Sequence, residues 1–152
     1  MTSAPADKAD KADKADTVAS HGGAAGFDFW LGDWDCTFAG GVATNRITKI
    51  LGQVVHEEFH STTLNGESWS AFNAPKQVWL QTWVDDQGAY LLFAGRREPE
   101  RMILIGRRPD GTPTGTRMVW EDITGDAFTW DYQREDPGGW SSQWRIAYRR
   151  RI

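Results

Sequence analysis

The stretch "QVVHEEFHS", residues 53 to 61, carries the densest set of chemically active side chains in this sequence. In an extended strand, successive side chains point to opposite faces. Val55, Glu57 and Phe59 then share one face, and His56, Glu58 and His60 share the other. Two assignments are open, with either face inward; the Val55/Phe59 face is the more apolar, and the pattern favours pointing it inward. That puts the Glu57 carboxyl among apolar groups. Desolvation raises a carboxyl pKa unless a cation or hydrogen-bond donors compensate. Such a group is a candidate general acid or base. The plainer alternative is a structural glutamate tied to an arginine or an indole N–H. His56, Glu58 and His60, at i, i+2 and i+4, would form a metal edge. No second His or Cys cluster accompanies them, so a solvated outer face is expected and no metal is assigned.

Other candidates are aromatic or neutral. Gln81 stands between Trp79 and Trp83 on one strand face and would orient a ligand with its amide. Trp120, Trp130, Tyr132 and Trp144 would continue the same wall, and Asn45 and Arg117 would add polar contacts to the interior. Each has a packing alternative, because aromatic stripes more often fill cores. Buried indole N–H and phenol O–H groups still require partners, and a ligand is one way to supply them. The sequence contains no nucleophile elbow and no phosphate-binding glycine loop.

The elements that must position these residues are short strands. Turn signals recur every eight to twelve residues: "AGG" at 39–41, "NG" at 65–66, "NAPK" at 73–76, "DDQG" at 85–88 and "EPE" at 98–100. "PDGTPTG" at 109–115, "TGD" at 124–126 and "DPGG" at 136–139 complete the series. Gly, Pro, Asn and Asp supply the backbone angles that tight turns need. Ten strands are predicted between them, at 34–39, 42–50, 53–63, 67–73, 78–84, 89–96, 101–108, 116–122, 127–134 and 142–150. Phe128, Trp130 and Tyr132 alternate with polar neighbours, as do Trp144, Ile146 and Tyr148. In "VWLQTWVD" both faces are partly apolar, and alternation does not choose between them. No long helical pattern competes. The expected fold is all-β: one antiparallel up-and-down barrel of about ten strands.

Composition bounds the rest. Residues 1–26 contain "ADKADKADKAD" and "HGGAAG", lack a hydrophobic face, and read as a disordered Ala/Asp/Lys-rich tail. Residues 27–152 form the expected barrel domain. There is no secretory h-region, no transit-peptide pattern, and no apolar run long enough to span a bilayer. Nine Trp, seven Phe and three Tyr are many for one small domain. A single cysteine, Cys36, rules out an intramolecular disulfide and suits a cytoplasmic setting. The net charge of −4 gives no general pull toward nucleic acid. The expected partner is a small molecule, with neither nucleic acid nor membrane, and the chain is expected to be a monomer or homodimer.

"FDFWLGDWD", residues 27 to 35, contains Gly32-Asp33-Trp34 just before the first strand. A Gly-x-Trp in this place resembles the signature of the calycin superfamily, the lipocalins and their relatives. The resemblance implies a Trp at the closed barrel end, crossed by a cation from the last strand, here Arg149, Arg150 or Arg151. With "ATNRI", "HEEF", "TTLNG", "QTWVDDQGAYL", "RMVWEDIT" and "FTWDYQ" in this order, the chain after residue 26 is similar to a family of uncharacterised bacterial calycin-like proteins. A more distant likeness is to the nitrobindins, ten-stranded barrels that bind haem. The histidines are His21, His56 and His60, none in the last strands where that likeness would place a haem ligand.

Four functional expectations follow, the last a structural or interaction protein with a filled barrel. The first is a binding module holding a small apolar or amphipathic molecule in an aromatic-lined lumen. The second is a cofactor-independent enzyme, a cyclase, isomerase or dehydratase of a biosynthetic pathway, with Glu57 as acid/base. Enclosing a flexible substrate can by itself supply much of a rate. Haem binding is third, and no cofactor is assigned.

Overall fold

The computed structural model describes residues 22–152. The disordered tail expected over residues 1–26 lies outside them for residues 1–21. Residues 22–26 depart from that expectation and form an ordered turn, with Gly26 buried beside Trp79 and Met102 and its N–H bonded to the Gly23 carbonyl at 3.0 Å. Ten antiparallel strands run in chain order: β1 (Gly32–Phe38), β2 (Gly41–Ile50), β3 (Val54–Ser61), β4 (Asn65–Asn73), β5 (Val78–Asp85), β6 (Tyr90–Arg97), β7 (Met102–Arg107), β8 (Pro113–Glu121), β9 (Ala127–Asp136) and β10 (Gly139–Arg150). Each pairs with the next, and β10 pairs back onto β1, so the sheet closes as an up-and-down barrel. Closure leaves no free sheet edge. The architecture is compatible with the calycin resemblance. Among the described residues no helix is long and apolar enough to cross a membrane.

All ten predicted strands are present, with ends shifted by a few residues. The clearest shift is at "NG": Asn65 and Gly66 open β4 instead of forming a turn. Gly66 meets a different need. A Cβ there would stand 2.2 Å from the Trp83 ring, so the glycine lets that indole lie across β4. Ser68 and Ser70 continue the small inward face of this strand, opposite Trp83 and Gln81. Large side chains from β5 fill the room that β4 leaves.

One barrel end is closed by the segment before β1. Phe27 leads into a single 3₁₀ turn, η1 (Asp28–Trp30), and Phe27 and Trp30 are both buried. Phe27 packs edge-on against Trp79 and Trp120, with centroids 4.9 and 5.1 Å away. Such pairs add about 0.5–1.5 kcal/mol beyond burial alone. Trp34 donates its indole N–H to the Trp30 carbonyl at 2.8 Å, which ties the plug to the first strand. Arg150, in register with Trp34, lies 4.2 Å over the indole and donates to the Leu31 carbonyl at 2.7 Å. Of the three C-terminal arginines, Arg150 is the one that crosses the tryptophan. Gly32 makes room for it: φ is +132°, and a Cβ would come within 2.3 Å of the guanidinium.

Candidate functional site

With one end plugged, space remains towards the other. A cavity of about 200 Å³ extends from the barrel centre to the rim formed by Leu64, Asp85 and Leu91. Eight of its fifteen lining residues are aromatic. Alternation explains the wall. Trp130 and Tyr132 point inward from β9 and stack at 6.2 Å, and Trp144 of β10 meets Trp130 edge-on at 5.6 Å. Phe59 touches both Trp83 and Trp144 edge-on, at 6.3 and 5.9 Å. A register shift between Ser142 and Trp144 marks a bulge that re-aims the start of β10.

The floor is polar. Glu57 points inward from β3, is buried, and lines the cavity. Asn45 on β2 donates its amide N–H to Glu57 Oε2 at 2.7 Å and to the Tyr148 hydroxyl at 2.9 Å. Ser68 on β4 donates to Glu57 Oε1 at 2.7 Å. β2 and β4, on either side of β3, therefore bond the carboxyl directly, and the closing strand β10 joins the network through Asn45. Among the described residues no arginine, lysine or histidine forms an ion pair with Glu57 (the ion pair of its neighbour His56 is with Glu67, on the outer face). Burial pushes the Glu57 pKa above its ordinary value, and the Asn45 and Ser68 hydrogen bonds only partly offset it. Tyr148 is pushed well above the usual phenol range by burial, and by the nearby Cys36 and Glu57. Burial pushes the Cys36 thiol up to about 12, against a lowering hydrogen bond with Tyr148.

Two details show where the polar lining is incomplete. Trp120 is fully buried on the cavity wall, and its indole N–H has no partner among the described residues. Behind Glu57, the Asn45 Oδ1 is likewise buried without a partner among the described residues. Gln81 lines the cavity with its amide N–H committed to Ser70 Oγ at 2.8 Å. At the rim, Trp83 donates to Asp85 at 2.9 Å. Burial pulls the Asp85 pKa up, but this bond and those from the Ala89 and Gln87 N–H groups hold it below its ordinary value.

The candidates read from sequence divide by position. Glu57, Gln81, Trp83, Trp120, Trp130, Tyr132 and Trp144 all line the cavity, and Asn45 stands behind Glu57. Trp79 does not line it; that indole is packed at the plugged end between Phe27 and Phe72. Arg117 does not face the interior. On β8 the inward residues are Met118 and Trp120, so alternation turns Arg117 outward. There it bonds Gln133 at 2.6 Å and stacks over Trp140 at 4.3 Å. Gln133 passes the contact on to the buried Asp131, which Ser142 and Arg145 also approach. This network joins β8, β9 and β10 on the outside of the barrel.

Two residues of the polar floor were missed. Ser68 carries one sequence signal: "GESWS" places small residues at every second position, in the strand after that of Glu57. Alternation points Tyr148 inward but assigns it no polar role, because nothing local pairs it with residues a hundred positions earlier.

No known protein family matches this chain, and no curated protein matches it significantly.

Proposed function

We propose that the barrel binds a small amphipathic organic molecule, with its apolar body against the tryptophan wall and its polar end at Glu57. The observation carrying this reading is the cavity of about 200 Å³ with aromatic sides and a carboxyl floor. An engineered apolar cavity of roughly 150 Å³ already takes up benzene, so this space suits one ring with a short polar arm. Ligand sites are typically apolar enclosures with few convergent polar groups. The Trp120 N–H, without a partner among the described residues, supplies a further point for hydrogen bonding on the wall. The calycin resemblance supports the same use of the lumen, and the lone thiol supports a cytoplasmic setting. Binding is tested by titrating the intrinsic tryptophan fluorescence with aromatic, polyketide and fatty ligands, and by mass spectrometry of molecules that co-purify. Saturable quenching is expected for compact ring compounds. Indifference to the whole panel, with nothing co-purifying, removes the reading.

A second reading is catalysis in the same lumen, and the raised pKa of Glu57 favours it. A buried carboxyl that stays protonated nearer neutrality is able to deliver a proton to an enclosed substrate. Cyclisation, isomerisation and dehydration all need such a transfer. Glu57→Gln separates the two readings. Retained binding with lost turnover supports the enzyme; unchanged turnover takes Glu57 out of the mechanism.

A further inference from the structure

The lumen is one-sided in charge. Among the described residues its lining contains two carboxyl groups, Glu57 on the floor and Asp85 at the rim, and no lysine, arginine or histidine. The groups facing Glu57 are Asn45 from β2, Ser68 from β4 and Tyr148 from β10, with the Cys36 thiol of β1 beyond the phenol. All are formally neutral. The nearest basic side chain in sequence, His56, points to the opposite face and bonds Glu67 at 2.7 Å. A buried carboxylate without a cation is costly, and proteins normally pair such a group. The rest of the enclosure offers the faces and edges of eight aromatic rings. Aromatic faces attract organic cations, most strongly when water is excluded. The same wall, with two acids, repels an anionic ligand such as a fatty carboxylate.

We infer that the ligand of this lumen is an organic cation, a small arylalkyl or alicyclic amine whose ammonium group pairs with Glu57. The inference rests on the lumen being a ligand site and specifies the chemistry that the site selects. The ammonium supplies the counter-charge that no described residue provides. Asn45 and Ser68 already hold the carboxylate oxygens in place, so little reorganisation is required. The ring of the ligand lies among Trp83, Trp130 and Trp144, and Asp85 at the rim favours entry of positive charge.

The test uses the full chain and three probes of one shape: phenethylamine, phenethyl alcohol and hydrocinnamate. They are cationic, neutral and anionic at pH 7, a pH at which aliphatic amines are fully protonated, with pKa about 10. Calorimetry or tryptophan quenching should rank them amine, alcohol, acid, with the amine at least about tenfold tighter than the alcohol. An alcohol that binds as tightly as the amine overturns the cation assignment and leaves lumenal binding standing. Absence of a saturable signal from all three, and from the wider neutral panel, overturns both. Glu57→Gln should abolish the advantage of the amine over the alcohol; an undiminished advantage overturns the pairing. The wild-type ranking decides the question even where that variant fails to fold.

Discussion

The guanidinium of Arg150 lies 4.2 Å over the Trp34 ring, fastening the last strand to the first where the barrel is plugged. The indole is fully buried and also meets Phe128 edge-on at 4.8 Å. Trp34→Ala should therefore cost about 3–5 kcal/mol of stability, as for other large buried aromatics. Arg150→Ala removes the stacked cation and should cost less, about 0.5–2 kcal/mol. Urea denaturation of both variants measures this. Equal, negligible losses would show that the closed end does not hold the barrel together.

Glu57 should make stability depend on pH in a defined direction. Its folded-state pKa lies above the ordinary 4.5 because of burial. Between 4.5 and that folded value the native state holds a proton that the unfolded chain has released. Stability from this group is fully present below 4.5 and is lost as pH rises through the folded value. Glu57→Gln lacks the effect. The stability of the variant relative to wild type should rise with pH above 4.5 and then level off. Parallel melting curves across that range would show that Glu57 titrates normally.

Cys36 should be inert while the protein is folded. It is buried, and its pKa is about 12. At pH 8 only roughly one thiol in ten thousand would be ionised even if reagent reached it, and the thiolate is the reactive form. A chromogenic disulfide reagent should label Cys36 at the rate of unfolding and immediately in denaturant. Rapid labelling under native conditions would show that the β1–β10 seam opens readily.

Gly66→Ala should disturb the cavity more than it disturbs the strand. The new methyl would stand 2.2 Å from the Trp83 ring, which would have to rotate away. Overpacking of this kind costs about 1–3 kcal/mol. The Trp83–Asp85 hydrogen bond at the rim would be lost with it. A shifted tryptophan emission and altered ligand affinity are expected. An emission spectrum identical to wild type would mean that Trp83 has room that the structure does not show.

The strand pattern was legible because alternation and turn chemistry are local. Phe128, Trp130 and Tyr132 had to share a face wherever the strand lay, and Gly, Pro and Asp marked its ends. Val55 and Phe59 carried Glu57 inward for the same reason. Arg117 shows where residue type misleads. A cation beside an aromatic run looked like a lumen contact, yet Met118 and Trp120 own the inner face and turn it outward. Trp79 and Trp83 share a face, but depth along the barrel axis separates plug from cavity wall, and depth has no local signature. The convergence of Asn45, Ser68 and Tyr148 on Glu57 was also beyond reach. It depends on the β1–β10 closure and on the register of four strands, set by the packing of the whole barrel. Sequence alone determined that this chain closes an aromatic barrel with a carboxyl inside. Only the tertiary structure decided that the carboxyl stands without a cation among the described residues, because ion pairing depends on distances that chain order does not encode.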